Sequence, residues 1–252
     1  MADWADLDAE LAAWQASNLS PRLWWRDDDA QTVTSALERL LGLSERYAVP
    51  AHLSVIPDGL QPDLAMRLRD TDHVYVLQHG LSHVNHEPKG SPASEVGNTR
   101  DLALQKADLA RGWDILKGAD LPRLLPAFVP PWNRIGDATR ARLADWGYTF
   151  LSTYDGRGDA APVAGLTHIN AHLDPIRWKY NNVFRGTDKM LTMLVEHLHI
   201  RRLSSAPTDP IGLVTHHLQT EDAVWAFTDH LFARTQGLWV SVTDMQKDAE
   251  HG

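Results

Sequence analysis

Three observations predict an α/β fold built on about seven parallel strands, either an open sheet or a barrel. Short apolar runs alternate with stretches of helical period along most of the chain. The residues able to do chemistry fall where those apolar runs end. The composition, 43% hydrophobic and 23% charged over 252 residues, is that of a globular chain with a sizeable core.

In order along the chain, Leu7, Leu11 and Trp14 mark a short amphipathic helix, which makes 1–19 an N-terminal helix packed on the main body. Residues 20–245 read as a single barrel domain, and 246–252 as a disordered tail. Strands are expected at 23–26, 51–56, 73–78, 125–129, 148–152, 166–170, 211–215 and 238–242. Between them, helices are expected at 34–48, 62–69, 99–117, 137–146, 188–202 and 221–235. Pro62 suits a first helical turn, because its missing N–H would have no partner there. The polar stretch 80–97 is long for a loop in a compact domain, and loops of that length are usually functional or disordered.

Composition excludes several classes of function. With no cysteine there can be no disulfide framework, thiolate zinc site, iron–sulfur cluster or cysteine nucleophile. The net charge of −9 argues against a nucleic-acid partner and against docking on anionic membranes. No apolar run approaches the ~18 residues of a membrane span. The acidic start lacks the basic and apolar regions of a secretory signal, so the expected location is cytoplasmic. The glycine-rich dinucleotide and phosphate loops are absent, as is the nucleophile elbow of serine hydrolases.

The position of the polar residues is more informative. Asp27-Asp28-Asp29 follows the first strand, His79 and His83 follow the third, and Pro130-Pro131-Trp132-Asn133 follows the fourth. His172 and Asp174 follow the sixth, and His216-His217 ends the seventh. The C-terminal rim of parallel strands is where α/β folds build their sites. Each piece alone has a plain structural reading. Asp29 could cap a helix, the His216-His217 pair could be core, and with 13 histidines chance alone supplies nearly one His pair at spacing four, where this chain has two. Together they describe a metal centre. If Gly80 to His83 begins helically, His79 and His83 share one face. One carboxylate with two imidazoles leaves positions open for water and substrate, and this oxygen–nitrogen set suits Zn²⁺, or Co²⁺, Ni²⁺ or Mn²⁺. A second carboxylate could act as general base and a distant histidine as general acid, which is metal-assisted hydrolysis. Trp132 and Trp178 could stack on a sugar ring or serve as apolar cover. Trp24 and Trp25, adjacent on one strand, must face opposite sides.

These stretches resemble the polysaccharide deacetylase family, the carbohydrate esterases with NodB homology. The family's motifs are T-F-D-D-G, H-x-x-x-H, R-x-P-[YF] and a late L-x-H. They are matched in order by Arg26 to Ala30, His79 to His83, Val129 to Asn133, and Val214-Thr215-His216 over about residues 20–245. The resemblance implies a distorted, NodB-like (β/α) barrel and removal of an acyl group, acetyl in the first instance, from an N-acylated amine such as an amino sugar. It implies Asp28 as base, Asp29, His79 and His83 as metal ligands, and His216 as acid. A one-residue shift would make Asp27 the base and Asp28 the ligand, and His217 is the alternative acid. Pro131, Trp132, His172, Asp174 and Arg26 are the expected substrate contacts.

Two departures stand out. Val129 replaces the arginine that orients the base, a charge Arg26 or Arg134 could supply. The usual Asp-Trp pair of the fourth motif is missing near Ser152-Thr153-Tyr154. Two other readings stay open, an amidohydrolase acting on a small cytosolic N-acyl or ureido compound and a non-catalytic carbohydrate-binding protein.

Overall fold

The computed structural model describes residues 1–154 and 162–245; the expected tail at 246–252 lies outside the described residues. The chain opens with α1 (Trp4–Ala16), β1 (Leu23–Ala30), α2 (Ser35–Tyr47), β2 (Ala51–Val55), α3 (Pro62–Arg69) and β3 (Val74–His79). It continues with α4 (Leu102–Gly118), β4 (Leu124–Val129), α5 (Asp137–Arg140), β5 (Phe150–Leu151), β6 (Thr167–His168) and β7 (Ala171–Leu173). A small hairpin of β8 (Ile176–Arg177) and β9 (Val183–Phe184) leads to α6 (Thr187–Arg202), β10 (Ile211–Thr215) and α7 (Asp222–Arg234).

One sheet holds eight strands in the order β6-β5-β4-β3-β2-β1-β10-β7, all pairs parallel. It curls until its far parts meet: Ala171 N donates to Thr153 O at 2.9 Å, and Tyr154 bridges to Ala171. The result is a distorted (β/α) barrel, as the sequence predicts. Helix α1 packs on α6, and Glu10 pairs with Arg202 at 2.8 Å across them. No helix among the described residues is long and apolar enough to cross a membrane.

Side-chain parity along β1 organises the core. Trp24 points into the barrel, against Leu77, Ala127, Val129 and Phe150. Trp25 points outward under α7, its ring 4.8 Å from Phe232.

Three expected elements differ from the structure. Residues 238–242 form a single bridge, from Leu23 to Trp239, and no strand. Ser241 ends the extension by bonding Asp244, and the turn that follows drives Val242 and Met245 into the barrel floor beside Trp24. The eighth strand is β7 instead, set beside β10, which puts His172 inside a strand rather than beyond one. The helix expected at 137–146 breaks after Arg140, since only Thr139 and Leu143 of that segment are buried enough to hold it down.

His52 ties the floor to the sheet. Its Nδ1 donates to Trp25 O at 2.7 Å, and its Nε2 accepts from Val242 N at 3.0 Å, so the ring must be neutral. Burial outweighs the attraction of Trp25 O and Asp244 and pushes the imidazole down to about 4. In the unfolded chain it titrates near 6.5. Its support for the fold is therefore complete above about pH 6.5 and lost as pH falls through 4, a loss on the order of 3 kcal/mol. Urea unfolding at about pH 7 and about pH 4 should show an acid-induced loss that is smaller in His52→Gln by that amount. An identical loss in both proteins would remove His52 as its source.

Candidate active site

At the C-terminal rim lies a cavity of about 410 Å³ whose lining includes Asp28, Asp29, His79, His83, Trp132, Asp174, Trp178 and His216. The alternation that sends Trp24 inward sends Arg26 and Asp28 inward too. Asp27 points out: its carboxylate accepts from Thr215 Oγ1 at 2.6 Å and His217 N at 3.0 Å, and lies 2.5 Å from His217 Nδ1. The structure thus brings Asp28, Asp29 and His216 into the cavity and locks the alternatives, Asp27 and His217, together in the wall behind. Two consecutive aspartates both reach the cavity because β1 slips register against β2 between Asp27 and Ala30, with Asp29 at φ 74°.

The two histidines converge by a loop and not by a helix. Gly80 at φ 60° and His83 at φ 55° turn the chain sharply after β3. The buried carboxylate of Glu95 holds the turn, accepting from Leu81 N at 3.1 Å and Ser82 N at 2.9 Å. A side chain at Gly80 would collide with Glu95 and Pro131. His79 Nε2 lies 3.2 Å from Asp29 Oδ1, and His83 Nε2 lies 3.5 Å from the same oxygen. All three ligand atoms fall within 4.8 Å of one another.

These residues fit a metal ion. Ligands held ~2.0–2.1 Å from a tetrahedral ion sit about 3.3 Å apart, close to the two His–Asp separations. Asp29 Oδ1 is buried without a hydrogen-bond partner, an expensive state unless something else occupies the space it faces. His79 Nδ1 donates to Val129 O at 2.9 Å, which fixes the tautomer and leaves Nε2 free to ligate. Burial opposes ionisation of Asp29, but His79, followed by His216 and His83, outweighs it and holds the carboxyl well below the usual range. Burial alone would keep His79 neutral, yet Asp29 and Asp28 raise its pKa; burial and the charge of His79 lower that of His83.

Asp28 is gripped from beneath by Arg26. The guanidinium Nε lies 3.0 Å from Oδ1 and Nη2 donates to Oδ2 at 3.1 Å. Further donor contacts run to Ser152 Oγ at 2.6 Å and Asn133 Oδ1 at 2.5 Å. Burial would push the Asp28 carboxyl up, but Arg26, with His79 and His216, holds it below the usual carboxylate range. Arg26 is thus the guanidinium that meets Asp28, where Val129 offers none. His216 Nε2 stands 3.9 Å from Asp28 Oδ2, and its ring packs nearly perpendicular to that of Trp178 with centroids 4.6 Å apart. Asp174 accepts from Trp178 Nε1 at 2.7 Å and from Ile176 N at 2.8 Å. Burial raises its pKa against the pull of His216. Asp174 and Trp178 thus bring an Asp and a Trp beside His216 from a later stretch of the chain than Ser152–Tyr154.

Three expected substrate contacts lie elsewhere. Arg26 has no exposed surface and cannot touch a substrate. Pro131 is buried against Gly80 and backs the turn. His172 lies outside the cavity; its Nδ1 accepts from Gly212 N at 2.9 Å and its ring meets His197 at 5.0 Å. Trp132 does line the cavity, 4.2 Å from His83, with φ 55°. Sequence reasoning missed Tyr154 and Arg185, which also line it. Arg185 follows a hairpin with strands of two residues, too short to leave a periodic signal.

No family model matches this sequence, and no curated protein does. The fold is nevertheless that of the family 4 carbohydrate esterases and polysaccharide deacetylases. The peptidoglycan deacetylase PdaC of Bacillus subtilis is similar at TM-score 0.59 and 14% identity, over 92% of this chain and 93% of that one. A family 4 carbohydrate esterase from Streptomyces lividans, solved with acetate, is similar at TM-score 0.54 and 16% identity, over 85% and 87%. A family 4 acetyl xylan esterase from Clostridium thermocellum, solved with a cobalt ion, is similar at TM-score 0.57 and 12% identity, over 88% of each chain.

Two measurements follow from the geometry. Plasma mass spectrometry should find about one equivalent of a transition metal per chain after incubation with Zn²⁺ or Co²⁺. It should find none in His79→Ala/His83→Ala; equal content in both proteins would place the ion elsewhere. Arg26→Gln strands Asp28 as a buried charge without its partner, so chemical unfolding should show a loss of about 3–5 kcal/mol. A change within error would mean that Asp28 is stabilised by something other than Arg26.

Proposed function

We propose that the protein is a divergent polysaccharide-deacetylase relative, a metal-dependent hydrolase that removes an acetyl group from an N-acetylated amino sugar. One observation carries this reading. A carboxylate–imidazole triad fit for a metal, Asp29 with His79 and His83, shares a cavity with a second carboxylate, Asp28, and a second imidazole, His216. The structural neighbours are family 4 esterases and deacetylases, which supports the same chemistry. The metal requirement and the roles below are our assignment.

A divalent ion held by Asp29, His79 and His83 would supply Lewis acidity toward the acyl carbonyl and acidify water. The chain's own residues do the proton work. Asp28, kept ionised by Arg26, takes a proton from the attacking water. His216 gives a proton to the departing amine nitrogen. The 3.9 Å between His216 and Asp28 lets the two act on neighbouring atoms of one scissile bond. Trp132 and Trp178 both line the cavity and supply aromatic surface on which a sugar ring can stack. The reading as a non-catalytic protein drew on the absent third-motif arginine; the guanidinium of Arg26 beside Asp28 favours the catalytic reading instead.

Acetate release should be measured on a panel of N-acetylated sugars with metal-loaded protein. Asp28→Asn should keep the metal and lose kcat by about 10²–10⁴-fold, the usual worth of a positioned acid or base. Full turnover by Asp28→Asn would remove it as the base. Metal-loaded wild type that releases acetate from nothing on the panel would count against hydrolysis.

A further inference from the structure

Two guanidinium groups on the cavity wall have no part in the hydrolytic scheme. Arg134 follows the turn at Pro131–Asn133 and Arg185 follows β9, and both line the cavity. Each is half-buried and tethered by one nitrogen to a backbone carbonyl. Arg134 Nη1 donates to Ala93 O at 2.9 Å, and Arg185 Nε donates to Asp174 O at 2.6 Å. Among the described residues neither forms an ion pair with a carboxylate.

The cavity acids do not answer these charges. Asp28 is paired to Arg26, and Asp29 faces two imidazoles. Both oxygens of Asp174 accept other donors, although Arg185 lies near enough to favour its ionised form. A tethered, half-desolvated guanidinium with open N–H groups suits a planar anion held by paired hydrogen bonds. The setting sharpens the point. A chain of net charge −9 repels acids at long range, so two guanidinium groups without an ion-pair partner at the reaction site form a local exception.

We propose that Arg134 and Arg185 form an anion subsite, and that the acylated substrate carries a carboxylate. The identity of the acylated unit as a sugar rests on the hydrolytic reading above; the preference for an anion is a binding property that stands apart from turnover.

Calorimetric titration of the wild-type protein with N-acetylglucosaminuronic acid and with its methyl ester tests this, because the pair differs in charge and little in shape. The acid should bind at least about tenfold more tightly. Arg134→Gln and Arg185→Gln should each remove most of that preference and leave ester binding unchanged, which also shows that the variants are folded. Arg134→Lys and Arg185→Lys should keep a good part of it. Equal affinity for acid and ester, failure to bind either, or an equal loss of both in the Gln variants would overturn the subsite. A preference for the acid without acetate release would keep the subsite and sink hydrolysis. Acetate release with no preference for the acid would do the reverse.

Discussion

The buried pair of Arg26 and Asp28 is the constraint around which the rim is arranged. A carboxylate with almost no exposed surface would be neutral unless a cation met it at contact distance. Arg26 meets it from two residues away on the same strand, so the pair is prearranged by the pleat before any loop is in place. The guanidinium then spends its remaining donors on Ser152 and Asn133, which pins the ends of β4 and β5 to β1. Asn133 and Trp132 hold left-handed backbone conformations that cost energy in isolation. The bond from Arg26 to Asn133 is one of the contacts that offsets that cost, and it keeps Trp132 against His83.

Much of this was legible in the sequence because it follows from period and position. The alternation of apolar runs and helical stretches gave the parallel sheet. The placement of Asp28, Asp29, His79, His83 and His216 at strand ends gave the residues the cavity brings together. The pleat also separates the aspartates. Trp24, Arg26 and Asp28 share one parity and Trp25 and Asp27 the other, which alone argues for Asp28 in the cavity and Asp27 in the wall.

Other features were not legible, for physical reasons. The slip in β1 that turns Asp29 beside Asp28 depends on pairing with a strand more than twenty residues away. The convergence of His79 and His83 depends on Glu95, a loop acid with no motif around it. His172 looked like a rim residue because β7 has only three residues and leaves no alternation to detect. Strand propensity also misled at 238–242, where the hydrogen bonds of Ser241 with Asp244 override an apolar run.

The floor of the barrel has a consequence for how the chain is made. Trp24 lies near the start of the first strand, and two of the side chains that cover it, Val242 and Met245, come from the end of the described chain. During synthesis the first strand therefore leaves the ribosome long before its cover exists, with a large indole facing an unfinished interior. Contacts of such long sequence separation form late and slowly, and until then exposed apolar surface invites association with other chains. The floor closes only once Val242 and Met245 have been made, so until then the nascent barrel stands as an open vessel.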